Sequence, residues 1–299
     1  MKTRPEKRFK KHFLIAPEPN KMKINKNHNQ ANNQVFYINK WFLDFTGRDG
    51  EAMIFYAAKL IWHGLSANYT SWINYNPLSG VKVKSRFRNV NFPEKNENSI
   101  TWNDKKFGVS GKWESTAGPV QSRLYDSEEG YLDWFCYQPA SHVKLNVNGK
   151  SMEGCGYAEQ LIMTVPAWRI PMDELRWGRF VSKQNNLVWI ELRKDERMKW
   201  LWVNGEKEIE CIIENESVSV PNKDQQLELD KGVVLEFEKK IQSVVEKIIR
   251  YIPGFNKLIP IQFIMADETK WLSNGRLLIN GQVISEGKAI HELVNFKPH

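Results

Sequence analysis

A chain of 299 residues with 41% hydrophobic side chains can bury one large core or two ordinary ones. The net charge of +8 points first to nucleic acid, but nine Lys or Arg against two acids fall in residues 1–26. That leaves about +1 for the rest, and with no recognised binding module following the basic stretch, nucleic-acid binding is set aside.

Residues 1–33 are expected to form a basic N-terminal arm, either solvated or drawn weakly to an anionic membrane surface. The apolar piece HFLIAP is too short for a signal-peptide core, and no run of about 18 apolar residues follows that could span a bilayer. Cys136, Cys155 and Cys211 are odd in number and far apart, which fits reduced core thiols and neither a disulfide framework nor a zinc site. A cytoplasmic protein is the expectation, with its arm either solvated or in weak contact with the inner membrane surface.

From residue 34 the chain reads as strands. QVFYINKWFLDF alternates apolar and polar positions; EAMIFYAAKLIW, ANYTSWINYNP, GVKVKSRFRNV, GKWEST, SRLYD, GYLDWFCYQP and HVKLNVNGK follow, punctuated by Gly, Asn, Asp or Pro. After a mixed-polarity linker around 165–176 come NLVWIELR, KWLWVNGEKEIECII, SVSVP, QLELD, VVLEFE, IQFIMADE and GRLLINGQVIS. Short strands with turn signals and twelve Trp indicate β-sandwich or barrel architecture. One helix interrupts them, over about 239–252. There Ile241, Val244, Val245, Ile248, Ile249 and Ile252 make a single apolar stripe, which Pro253-Gly254 ends. It packs on a barrel wall or lies on a membrane surface.

Two stretches repeat. NGKSMEGCGYAEQLIM begins at Asn148 and NGQVISEGKAIHELVNF at Asn280; with one residue of slippage Glu153-Gly154 matches Glu286-Gly287, and Glu159 matches Glu292. Each copy closes a run of strands. The fold class expected is therefore all-β, with two barrel-like domains at 34–165 and 166–299 and one external amphipathic helix.

Familiar catalytic motifs fail. HELVN at 291–295 lacks the second His of HExxH, and GVSGK at 108–112 has Lys112 where a nucleophile elbow needs Gly. The six His are scattered, and Ser110, Ser141 and Ser151 have no His at a telling spacing, so a hydrolase finds no support. What remains is Tyr157-x-Glu159. On a strand these two side chains share a face. If that face is the inside of a barrel, desolvation raises the carboxyl pKa and makes Glu159 a proton donor beside a phenol. Trp41, Trp62, Trp72, Trp134, Trp168 and Trp177 could then stabilise a cation through their π faces. Alternatively Glu159 is a solvated outer-face residue, or a structural carboxylate paired with Arg176 or Arg179.

Three blocks resemble the lipocalin-like family of carotenoid 1,2-hydratases, tocopherol cyclases, AttH-like proteins and fungal Diels–Alderases. They are Trp41–Asp44 with a turn at Asp49-Gly50, Gly156–Glu159, and Trp177–Phe180. The resemblance spans most of 35–299 and implies two lipocalin-like (calycin) barrels. It also implies that Glu159, beside Tyr157, protonates an isolated double bond. The hydratases carry Asp there, followed by Asn-Trp-Gly. This chain has Glu and then QLIMTVP, closer to the G-Y-x-E of cyclase-like members.

The resemblance implies an enzyme that needs no metal or organic cofactor. A polyene, prenyl or polyketide-like substrate would lie between the barrels, in a pocket shaped by Trp41, Asp44, Trp177 and Arg179. Arg179 would hold Glu159 or a polar head group. Glu292 is expected to be structural on its own neighbours, since Ile290, His291 and Leu293 leave less room for a ligand than the Gly-Tyr-Ala before Glu159. A carrier of an apolar ligand, with Glu159 as a structural carboxylate, is the alternative. An enzyme needs Glu159 neutral, whereas a carrier tolerates it ion-paired or outward-facing.

Overall fold

A computed structural model describes residues 35–87, 89–230, 232–240 and 259–296. The basic arm 1–33 lies outside the described residues, as does the expected helix past residue 240; residues 239 and 240 themselves end a strand.

As the alternating patterns predict, the described residues are nearly all-β, in two large curled antiparallel sheets consistent with two lipocalin-like barrels. The first holds β1 (Phe36–Gly47), β2 (Ala52–Trp62), β3 (Leu65–Asn76), β4 (Gly80–Phe87), β5 (Glu94–Lys95), β6 (Ser99–Asp104), β7 (Val109–Ser115), β8 (Val120–Ser127), β9 (Gly130–Val147) and β10 (Lys150–Met163). The second holds β11 (Glu174–Ser182), β12 (Asn186–Arg193), β13 (Arg197–Val203), β14 (Glu206–Glu208), β15 (Ile212–Ile213), β16 (Ser217–Val220), β17 (Gln225–Leu229), β18 (Val233–Lys240), β19 (Asp267–Ile279) and β20 (Gln282–Asn295).

The two sheets have one topology. The first runs β4-β3-β2-β1-β10-β9-β7-β6-β5 with β8 on β9; the second runs β14-β13-β12-β11-β20-β19-β17-β16-β15 with β18 on β19. Adding ten to each strand of the first gives the second.

The repeated sequence has a physical reason in both copies. Asn148-Gly149 and Asn280-Gly281 all adopt positive φ, the backbone that a two-residue hairpin turn requires. At Gly154 a Cβ would lie 2.2 Å from the Thr46 carbonyl and 2.7 Å from the Phe45 ring. At Gly287 it would lie 2.3 Å from the Val181 carbonyl and 2.9 Å from the Phe180 ring. Only glycine lets the neighbouring strand and its Phe cross there.

Two predicted elements differ. GYLDWFCYQP and HVKLNVNGK, separated by Pro139, are one strand, β9. It pairs with β8 over 130–136 and with β7 over 141–147, so the missing N–H of Pro139 falls between the two ladders. IQFIMADE opens instead as a short helix, Ile261–Ile264, begun by Pro260, whose fixed φ suits a helix entry; the strand starts only at Asp267. Cys136 and Cys211 are buried free thiols, whereas Cys155 is exposed and not part of the core.

Alternation along the strands sorts the apolar side chains into three bodies. One fills the first barrel (Leu43, Phe45, Phe55, Trp102, Trp113). A second fills the second barrel (Phe180, Leu187, Trp189, Leu201). The third lies between the sheets and takes residues from both: Phe42, Tyr56, Trp134 and Tyr157 from the first, Trp177, Ile190, Trp202 and Ile290 from the second. Trp134 stacks on Trp202 with ring centroids 4.8 Å apart, and Phe42 meets Trp177 at 4.7 Å.

Candidate active site

Tyr157 and Glu159 point into the body between the sheets. They do not face a barrel lumen, which corrects the enclosure supposed from the pattern. The reason is parity: Ala158 faces the first barrel's core, so its two neighbours face away from it. The same parity puts Phe42 and Asp44 of β1 toward the interface, opposite Glu159 and Tyr157 in register.

Glu159 is buried, at 7% exposure. Its Oε2 accepts a hydrogen bond from the Tyr157 hydroxyl at 2.5 Å, one from Trp134 Nε1, and one from Trp177 Nε1 at 3.2 Å. Each donor arrives differently. Tyr157 is two residues earlier on β10. Trp134 comes from β9, where two register shifts against β10 around Gly156–Glu159 bend the strand, as bulges next to functional sites do. Trp177 crosses from β11 of the other sheet. Burial raises the Glu159 pKa above its ordinary value, and the bonds from Tyr157 and Trp134 offset part of that rise. The Tyr157 phenol is driven well above its usual range, first by burial.

Arg179 and Asp44 were expected to shape the pocket, with Arg179 on Glu159 or a head group. They hold each other. Arg179 Nε and Nη2 donate to the two Asp44 carboxylate oxygens at 2.8 and 2.6 Å, with both residues fully buried. Arg179 Nη1 donates to the Lys288 carbonyl at 2.9 Å. Arg176 is engaged with Glu174 at 2.6 Å. Among the described residues, therefore, no Arg pairs with Glu159, and neither outward exposure nor ion pairing describes it.

The remaining Trp residues are dispersed. Trp134 and Trp177 reach Glu159. Trp41 and Trp72 sit in the first barrel, Trp41 stacked on Tyr137 at 5.4 Å, on the far face of the sheet. Trp62 and Trp168 stack at 5.5 Å beside Phe36 at the start of β1. Phe36 is six residues from Phe42, roughly 20 Å along the strand.

Sequence reasoning missed the charged half of the interface. Lys270 of β19, at 1% exposure, places Nζ 3.2 Å from Glu236 and 3.1 Å from Glu292, and also bonds Glu268. Glu292 is thus a paired carboxylate. Its place opposite Trp177 matches that of Glu159 opposite Phe42. The only sequence signal was a charge at an inward position of the β19 stretch ETKWL. A Ser273–His291 contact of 3.0 Å was also missed; Ser273 Oγ reaches the Asp230 carbonyl at 3.1 Å too, and burial lowers the His291 pKa to about 4. Its Ser O–H has a backbone acceptor, and the imidazole stacks on Trp271 at 5.1 Å, a structural arrangement.

No family model matches the chain, and no curated protein matches it in sequence. Solved structures do. An AttH-like protein from Nitrosomonas europaea superposes with a TM-score of 0.54 at 9% identity, covering 95% of this chain and 100% of its own. Kievitone hydratase from Nectria haematococca superposes with a TM-score of 0.50 at 11% identity, over 88% of this chain and 90% of its own. At such identities the likeness establishes a shared two-sheet fold.

Proposed function

We propose that the protein carries out proton-initiated chemistry (hydration, cyclisation or isomerisation) on a hydrophobic small molecule held between the two sheets, with Glu159 as the acid. The observation that carries this reading is the arrangement at one oxygen. Three neutral donors converge on Glu159 Oε2. An acid proton then belongs on Oε1.

Burial and the three donors act at different moments. Desolvation favours the neutral acid before reaction. When Oε1 gives its proton to a double bond, the π pair forms the new C–H bond and the other carbon becomes cationic. The O–H pair stays on the carboxylate, whose new charge meets N–H and O–H dipoles already in place, so no reorganisation is needed. The π faces of Trp134, Trp177 and Trp202 suit the cation. Water attacking the cation and returning a proton to Glu159 completes hydration. Attack by an internal π bond or oxygen closes a ring, and loss of a neighbouring proton to Glu159 gives an isomer.

A hydratase among the proteins sharing this fold supports the reading, as does the resemblance of Gly156–Glu159 to the hydratase and cyclase strand. The test is native mass spectrometry with lipid extraction of wild type and Glu159→Gln purified from the native host. A precursor accumulating on the variant, with product or nothing on wild type, supports the acid. The same intact ligand on both proteins supports a carrier.

A further inference from the structure

Tyr56 is a buried group that the proton transfer does not use. It lies on β2 with its ring edge against Phe42, 5.3 Å between centroids, and is 7% exposed. Lys40 Nζ sits 4.9 Å and Lys270 Nζ 5.8 Å from its ring centroid. Among the described residues its hydroxyl has no hydrogen-bond partner. A buried hydroxyl without a partner is costly, and Phe would pack identically without that cost. Such a group is accounted for when something else supplies the partner.

Placement says what that partner is. Tyr56 and Glu159 both stand opposite Phe42, one on each side of β1, so the three side chains lie abreast on one face. Two strand spacings separate the outer pair, about 10 Å. The surroundings are set by Lys270, whose single ammonium is shared by Glu236, Glu268 and Glu292. With Lys40 counted, three carboxylates face two ammoniums, a net negative surround that disfavours a ligand anion, whereas a neutral oxygen is accepted.

We infer that the Tyr56 hydroxyl is the docking point for a neutral hydroxyl or carbonyl oxygen of the substrate, about 10 Å from the double bond Glu159 protonates. The substrate is then an oxygenated prenyl or polyketide-like molecule and not a hydrocarbon polyene. This rests on the Glu159 reading and narrows it.

The test is a tryptophan-fluorescence titration of the full chain with geraniol and with its deoxy hydrocarbon, on wild type and Tyr56→Phe. Wild type should prefer the alcohol by about tenfold, and Y56F should lose that preference while keeping its affinity for the hydrocarbon. Y56F should also melt no lower than wild type, since it sheds an unpartnered buried hydroxyl. Equal affinity of wild type for the two probes, a preference surviving in Y56F, or a lowered Tm overturns the proposal and leaves Glu159 untouched. Saturable binding of neither probe overturns it together with the prenyl-type reading beneath it.

Discussion

Asp44 and Arg179 occupy the same place in the two copies of the fold and grip each other across the interface. Asp44 pairs in register with Tyr157, two residues before Glu159 on β10; Arg179 pairs with Ile290, two residues before Glu292 on β20. The shared topology brings equivalent positions face to face, and one acid with one base there makes the contact complementary. Two acids or two bases would repel.

Both ions are fully buried, so removing one strands the other. Asp44→Ala and Arg179→Ala should each cost about 3–5 kcal/mol in urea unfolding. The double variant Asp44→Leu/Arg179→Met should recover most of that loss, since an apolar pair of similar volume leaves no charge unpaired. A double variant as unstable as the singles would show that the ion pair holds the sheets in register by more than its charge balance.

Glu159 should leave a signature in the pH dependence of stability. Its folded pKa lies above the ordinary 4.5, burial being the main cause. Between the two values the native state keeps a proton that the unfolded chain has released, so ΔG of unfolding falls as pH rises. The contribution is fully present below the unfolded pKa and is lost as pH rises through the folded one. The stability difference, wild type minus Glu159→Gln, should therefore decline across that window in denaturant titrations. A difference that rises with pH would mean a carboxylate stabilised in its charged form.

Tyr157→Phe keeps the ring against Phe42 and Trp177 and deletes the hydroxyl donor to Oε2. The carboxylate left by proton transfer then loses one of its three donors. Turnover of the precursor recovered from Glu159→Gln should drop about a hundredfold, while ligand retention stays unchanged. Unaltered turnover would remove Tyr157 from the proton-donating unit.

The local signals were legible and the long-range ones were not. Tyr157-x-Glu159 reads as a shared face because strand parity is local, and the Asn-Gly and Glu-Gly repeats mark hairpins and strand crossings that demand those residues. Which face is buried between sheets depends on how two curled sheets meet, and no window of sequence carries that. Hence Trp134 and Trp177 were expected among six Trp residues but not as donors to one oxygen. Trp41 on β1 and Trp72 on β3 belong to another core. Arg179 looked free for Glu159 because its partner, Asp44, is 135 residues away in sequence. Lys270 and its three acids read as ordinary strand charges, since only the fold buries Lys270 and gathers Glu236, Glu268 and Glu292 around it.

The most direct test of the central claim needs no substrate. Infrared spectroscopy of the folded protein at neutral pH reads the carbonyl stretch of a protonated carboxylic acid, which lies apart from the bands of ionised carboxylates. Such a band should appear in wild type, be absent in Glu159→Gln and be lost as pH is raised. A wild-type spectrum identical to that of the variant in this region would mean that Glu159 is ionised, and the acid that starts the chemistry would not exist.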